Sequence, residues 1–329
     1  MSATQDQRAV LRYQVVEGWE QLPPGYTHLD CVGVAVDGAD NVYLFTRDQP
    51  RVLVYSAAGE FLRSWGEALF TDRTHGITCA PDGRLYCVDE GAECVYVCSP
   101  QGEVLQTIGT RGGAADTGYD GTLESIRGGP PFNRPTNLAV SAWGDLYVSD
   151  GYGNCKVHRF SPAGDLLQSW GEPGTGPGQF YLPHGVATTA DGRVLVADRE
   201  NDRIQVFSPE GAYLEQWTDV QRPTSLAVDG AGRVYVSELW WRVGQRSQVK
   251  GEITTDLPGR ACVLDPQGAL LARWGSPDRC APGGFVAPHD IAVDSRGDVY
   301  VAEVTHTFAG KAGLVPPDCH TFQKFALLS

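Results

Sequence analysis

Short runs in which apolar and polar residues alternate, separated by glycine turns, recur along almost the whole chain. Alternation with a period of two and enrichment in Val, Tyr and Leu predict β-strands rather than helices. The unit is clearest from Pro183 to Trp217, PHGVATTADGRVLVADRENDRIQVFSPEGAYLEQW. It reads as a strand, a Gly turn, a second strand ending near an acid, a third strand, another Gly turn, and a fourth strand ending in Trp. Six copies follow one another. Their first strands begin near Val32, His75, Thr136, His184, Thr224 and His289, and their second strands at Val42, Leu85, Leu146, Val194, Val234 and Val299.

A repeat of four antiparallel strands at this period predicts an all-β chain folded as a six-bladed β-propeller, in which stacked blades bury faces that none can bury alone. The whole length, 1–329, is expected to be one such domain, with blades from about residues 29, 71, 131, 179, 222 and 285. The last repeat supplies only three strands and ends at FQKFALLS. The segment 1–28 contains RYQVVEGWEQLP, which resembles a fourth strand and includes Trp19. It is expected to pair with the last blade and close the ring.

Strand alternation then defines a functional face. The loop after each second strand and the link from each fourth strand lie on one side. That side takes every long insertion: Thr110 to Pro131, Glu172 to Leu182, Leu239 to Gly259 and Val304 to His320. Elaborated loops on a rigid scaffold are where binding usually resides. The residue opening the first strand is His in blades two, four and six, so His75, His184 and His289 are expected around the mouth of the channel. Three imidazoles with an open position are a catalytic zinc arrangement; packing against neighbouring loops is the alternative. His28, His158, His306 and His320 lack this register, although His306 and His320 lie in a loop of the same face.

The loop after strand two opens with an acid in five blades, Asp89, Asp150, Asp198, Glu238 and Glu303, a regularity that predicts a structural role on loop backbone. Arg47 and Arg199 occupy matching positions in blades one and four, and Tyr152 lies at the start of that loop in blade three. Two guanidiniums suit a substrate carboxylate, and a tyrosine among cations can serve as a base. Rim salt bridges to Asp48 and Glu200 are the competing role for the arginines. Trp240 and Trp241 either wall the pocket or pack loops together.

Charge and composition exclude other classes. A net charge of −14 without a basic stripe argues against nucleic acid and against anionic lipid as partners. No apolar run has the length of a membrane span, and MSATQDQRAVLRYQ lacks the apolar core of a secretory signal. The nine cysteines include no CxxC, and Cys155 and His158 have no second pair to complete a zinc site. A reduced, cytoplasmic protein without a disulfide framework is expected. No P-loop, HExxH or G-x-S-x-G motif is present, and the glycine-rich RGGAADTGYDG has no strand–helix unit around it.

LPHGVATTADGRVLVADRENDRIQVFS and LYVSDGYGNCKVHRFSPAGDLLQSWGE resemble the NHL-type propeller of the peptidyl-α-hydroxyglycine α-amidating lyase family, from about Leu29 to Phe325. The specific part is the combination of His75-Gly76, Pro183-His184-Gly185, Pro288-His289-Asp290, SDGY at Ser149 to Tyr152, and ADREN at Ala197 to Asn201. The resemblance implies His75, His184 and His289 as zinc ligands, Tyr152 as the catalytic tyrosine, and Arg47 and Arg199 as active-site arginines. It also implies a structural calcium held by Asp290 and the backbone carbonyls near Val34 and Ile77. Gly153 stands where secreted members carry a disulfide cysteine, and Ala287 replaces a Met before the third histidine.

Together these readings predict a zinc lyase that cleaves the N–C bond of an N-acyl or N-substituted α-hydroxyglycine to an amide and glyoxylate. The expected substrate is a small carboxylate, supplied by a separate hydroxylase. Two other readings share the scaffold: a zinc hydrolase acting on lactones or esters, which yields no glyoxylate, and a non-enzymatic NHL binding module, which needs neither metal nor Arg47.

Overall fold

The computed structural model describes residues 4–5 and 11–328. The protein is a six-bladed β-propeller, nearly all β, built from four-stranded antiparallel sheets whose strands follow one another in sequence. The inner strands are Cys31–Val36, Thr74–Cys79, Pro135–Val140, Pro183–Thr188, Pro223–Val228 and Pro288–Val293, within about one residue of the positions expected from the repeat. The second and third strands of the blades are buried almost throughout, as Val, Leu and Tyr runs with sheets on both faces must be. The first hairpins turn on glycine: Gly192 sits at φ +95°, where a Cβ would be strained.

The chain forms two compact units. One comprises Met1–Leu69, Ala227–Gln245 and Glu252–Ser329; the other comprises Phe70–Leu226 and Arg246–Gly251. In the first unit, Arg12–Val15 pairs antiparallel with Phe322–Leu328, giving the last blade its fourth strand as expected. Two aromatic contacts fasten this N-terminal segment. Tyr13 stacks on Trp274 with ring centroids 4.6 Å apart. Trp19 packs among Tyr55, Tyr300 and Phe322 and donates from Nε1 to the Ala57 carbonyl at 3.2 Å. Thr4–Gln5 adds a further edge to the blade-five sheet by pairing with Leu270–Gly275.

The second unit carries blades two, three and four. Here the recurrent acids take the structural role their regularity implied. Asp89, Asp150 and Asp198 are fully buried, and each accepts a backbone N–H from the link entering its own blade: Thr71 at 2.7 Å, Asn133 at 2.8 Å and Tyr181 at 2.8 Å. Glu303 does the same for Val286 and Ala287 in the first unit, whereas Glu238 takes Arg260 Nε at 2.7 Å. A carboxylate buried in a low-dielectric loop must be saturated with donors, so each acid fixes the two segments that meet at it.

The long insertions are ordered. Residues 110–131 include a 3₁₀ turn at Leu123–Ser125, and residues 172–182 contain a short parallel pair, Glu172–Pro173 with Gln179–Phe180. Within the second unit, Ser247 Oγ and Lys250 Nζ each lie 2.7 Å from Asp202 Oδ2 and hold Arg246–Gly251 there. No helix of the described residues is long and apolar enough to cross a membrane.

One expectation is corrected. Cys280 and Cys319 form a disulfide, so the chain is not without disulfides. The partners lie 39 residues apart in two different loops, with Cα atoms 5.1 Å apart. Nothing in their sequence spacing signals this pairing, because only the tertiary fold brings the loops together. The other seven cysteines are thiols.

Replacing Tyr13 with Ala removes the buried ring stacked on Trp274 and is expected to destabilise the protein by about 3 kcal/mol. Urea unfolding monitored by Trp fluorescence measures this. A loss below about 1 kcal/mol would show that the N-terminal strand is dispensable to the last blade.

Candidate active site

Each of His75, His184 and His289 is the second residue of its inner strand and is buried. Each makes the same contact. Nδ1 of His75 lies 2.5 Å from the Thr136 carbonyl, that of His184 2.7 Å from the Thr224 carbonyl, and that of His289 2.6 Å from the Val32 carbonyl. The acceptor is always the residue at the same register of the next inner strand. A carbonyl oxygen can only accept, so Nδ1 carries the proton and Nε2 of the neutral ring carries the lone pair. Ligating histidines are oriented in this way by a hydrogen bond from the other ring nitrogen. The side chains of His75, His184 and His289 form a buried group whose ligand atoms lie within 4.8 Å of one another, and the group could hold a metal ion. The glycine after His184 is required by close approach: a Cβ on Gly185 would lie 2.7 Å from the Thr224 carbonyl oxygen that receives the imidazole proton.

Tyr152 follows the second strand of blade three, Leu146–Asp150, and its hydroxyl reaches this group. It lies 3.1 Å from His184 Nε2, and its oxygen accepts Arg199 Nη1 at 3.3 Å. Since Nε2 is the acceptor, Tyr152 is the donor of the first bond. The ring also meets His75 edge-on at 5.2 Å. Arg199 sits in the 3₁₀ turn Arg199–Asn201 and bonds Glu200 through Nε at 2.8 Å, so it makes both the expected carboxylate pair and the contact with Tyr152. Glu200 also receives Arg222 through Nε at 3.1 Å and Nη2 at 2.9 Å. Burial pushes the Glu200 carboxyl up, but Arg199 and Arg222 outweigh it and hold the group below its ordinary value. Burial opposes the Arg199 charge, but Glu200 keeps its pKa raised.

Arg134, which the reading of the sequence did not select, lies over the Tyr152 ring at 5.2 Å, as close as Arg199 at 5.4 Å. A register signal exists for it. The residue two places before the His or Thr at the second position of the inner strand is Arg in blades two, three and five: Arg73, Arg134 and Arg222. All three pair with buried carboxylates, Arg73 and Arg134 with Glu90, Arg222 with Glu200.

Arg47 directly follows the second strand of blade one, Val42–Thr46; its N–H meets the Asp30 carbonyl at 3.1 Å, and its buried Nε has no hydrogen-bond partner among the described residues. Asp290 Oδ2 accepts the N–H of Val34 at 3.0 Å, and Oδ1 accepts that of Ile291 at 3.0 Å. Ile77 is buried in the inner strand of blade two. Among the remaining histidines, His28 bonds Glu20 and Thr321, His158 contacts Asp150 and Ser169, and His320 lies 2.9 Å from Glu303. Trp240 packs loops together: it meets Phe308 at 6.1 Å, with the Arg279 guanidinium 3.7 Å above its ring.

A propeller with a buried three-histidine group and a tyrosine bonded to it defines the class. Its relatives narrow it. The NHL repeat family profile matches residues 180–207. The chain is 30% identical to NHL repeat-containing protein 3 of Homo sapiens over 310 residues, 89% of this chain and 81% of that protein. It is 27% identical to peptidyl-alpha-hydroxyglycine alpha-amidating lyase 1 of Drosophila melanogaster over 275 residues, 78% of this chain and 47% of that protein, so it spans about half the length of that relative. Among solved structures, a gluconolactonase from Xanthomonas campestris superposes with a TM-score of 0.57 at 15% identity, covering 100% of this chain and 98% of that one, a likeness of fold alone. The chain belongs to the NHL repeat family.

Glu93 Oε2 accepts the backbone N–H of Arg134 at 2.5 Å. Burial, with Asp150 and Glu90 nearby, pushes its carboxyl up to about 7. A raised carboxyl pKa in the folded state means that its contribution to stability is present at acid pH and lost as pH rises through about 7. Glu93→Gln keeps an acceptor for Arg134 and removes the titration. Its stability relative to wild type is therefore expected to rise between about pH 5 and pH 8. Thermal unfolding across that range measures it, and parallel curves would mean that Glu93 titrates normally.

Proposed function

We propose that the protein is a zinc-dependent lyase that cleaves the N–C bond of an N-acyl or N-substituted α-hydroxyglycine, giving an amide and glyoxylate. The observation that carries this reading is the shared Nδ1-to-carbonyl bond of His75, His184 and His289, which turns three Nε2 lone pairs toward ligand duty in one buried group, with the Tyr152 hydroxyl on one of them. Three neutral imidazoles are a donor set that suits zinc. Its relationship to a lyase acting on peptidyl-α-hydroxyglycine supports the same chemistry.

Zinc bound there would supply a Lewis acid that makes the substrate's α-hydroxyl easier to deprotonate. The chain's own residues do the rest. Tyr152, as the tyrosinate paired with Arg199 rather than the phenol that donates to His184 Nε2, takes the α-hydroxyl proton. The C–O bond becomes a carbonyl, the C–N bond breaks with its electron pair going to nitrogen, and nitrogen takes up the proton that Tyr152 has received, which returns the tyrosine to its anion. Nothing is oxidised or reduced, and the proton balance is zero. Arg199, with its charge secured by Glu200, stabilises developing negative charge near the tyrosine oxygen. Arg47 is assigned to the substrate carboxylate, which a guanidinium binds bidentately. Asp290, with the carbonyls of Val34 and Ile77, is the proposed calcium set. Oδ1 and Oδ2 of Asp290 each already take one N–H, and a carboxylate retains further lone pairs for a cation. The substrate carries an α-hydroxyl that a hydroxylating enzyme must install, so a partner reaction of that class is part of the proposal.

Two measurements test the reading. Plasma mass spectrometry on protein purified without chelator should find about one zinc per chain, and α-hydroxyhippurate should yield glyoxylate. Zinc with turnover of lactones and no glyoxylate would replace the lyase by a hydrolase; absence of metal would leave a binding module. Tyr152→Phe should retain zinc and lower kcat by roughly a hundredfold, the usual scale of a lost general base. Unchanged kcat in that variant would remove Tyr152 from the chemistry.

A further inference from the structure

Seven side chains of the second unit form one line: Arg73, Glu90, Arg134, Tyr152, Arg199, Glu200, Arg222. Tyr152 is at the centre, and on each side a buried glutamate is forked between two arginines. The two arms differ in where they meet the tyrosine. Arg199 reaches the hydroxyl oxygen through Nη1 at 3.3 Å. Arg134 presents its guanidinium to the ring at 5.2 Å, while Nη1 donates to the Tyr119 hydroxyl at 2.9 Å and Nε to Glu90 Oε1 at 2.7 Å. Its main chain is constrained as well. Arg134 has φ +65°, a left-handed conformation unusual for arginine, and its N–H is held by Glu93.

We propose that Arg134 is a positioning residue: its guanidinium, pinned by Glu90 and Tyr119, braces the aromatic face of Tyr152 so that the phenol oxygen stays between His184 Nε2 and Arg199 Nη1. The inference rests on the reading of Tyr152 as the group that takes the substrate proton. The bracing depends on shape as well as charge. A planar guanidinium spans Glu90 and Tyr119 while lying against a ring, and an ammonium on a flexible stem cannot do all three. Strain in the backbone of a non-glycine residue persists only where the surroundings enforce it, and here Glu93 and Glu90 enforce it on one residue. Four guanidiniums against two carboxylates also leave this line with an excess of two positive charges in a protein of net charge −14. A role in attracting an anionic substrate is therefore the competing explanation for Arg134, and the kinetics separate the two.

The experiment compares full-length wild type, Arg134→Met, Arg134→Lys and Glu90→Gln. Each is assayed for glyoxylate release from α-hydroxyhippurate, for zinc content, and by ¹³C NMR of ring-labelled tyrosine, with the Tyr152 resonance identified by its absence in Tyr152→Phe. Bracing predicts that Arg134→Met lowers kcat about tenfold with KM within about threefold of wild type, the cost of a slightly misplaced reacting group. Arg134→Lys should lose nearly as much, zinc content should stay unchanged, and the Tyr152 resonance should move in all three variants. A raised KM at constant kcat with Lys restoring wild-type behaviour would overturn the proposal in favour of charge attraction. An unmoved Tyr152 resonance in Arg134→Lys would overturn it outright, including the case in which Arg134→Met fails to fold. If wild type releases no glyoxylate, the lyase reading falls, while the resonance still decides whether Arg134 holds the ring.

Discussion

The candidate site depends on one hydrogen bond made three times, from the Nδ1 proton of an inner-strand histidine to the carbonyl at the same register of the next inner strand. It sets the tautomer, because a carbonyl offers no proton to share. It also sets the direction of the ring, because a buried imidazole held by one nitrogen must aim the other away from it. Side chains at a strand start are otherwise free to choose among rotamers, so neighbouring main chain supplies the orientation that the histidine itself lacks. The glycine after His184 belongs to the same constraint, since a Cβ there would meet the accepting carbonyl.

Around that centre, buried carboxylates organise the face. Asp89, Asp150, Asp198 and Glu303 tie each entering link to the loop beside it, so loops of unlike length leave the blades from similar anchor points. Glu90 and Glu200 work on arginine side chains instead. A buried ion pair is poor evidence of stability, because desolvation consumes much of the attraction. Its value here is geometric: each glutamate fixes the guanidinium that meets Tyr152, and the tyrosine oxygen is thereby confined near His184.

This arrangement gives the chemistry its limits. A six-bladed propeller hosts unrelated reactions, so the blades alone say nothing of mechanism. The relatives carry the same lesson, since an amidating lyase and an NHL repeat-containing protein both align with most of this chain. What narrows the field is the local set: three imidazoles presenting Nε2, a phenol bonded to one of them, and an excess of guanidinium beside it. Those groups are what the proposal of a carboxylate substrate and of hydroxyl-proton removal rests on.

The sequence by itself determined the blades. Period-two strands, glycine turns and a repeat with a matching register are local properties, and they located the inner strands, the closing role of Arg12–Val15, the long loops and the positions of His75, His184 and His289. It also singled out Arg199, which shares its register with Arg47, and Tyr152, which opens the same loop in blade three. Pairings between residues far apart along the chain lie beyond such reasoning. The Cys280–Cys319 bond, the forked partners of Glu90 and Glu200, the packing of Trp240 and the place of Arg134 against Tyr152 were decided only by the tertiary structure. The physical reason is that a repeat fixes where a side chain starts, whereas its partner is chosen by burial, by the need to satisfy charge, and by which loop of another blade comes within a few ångströms.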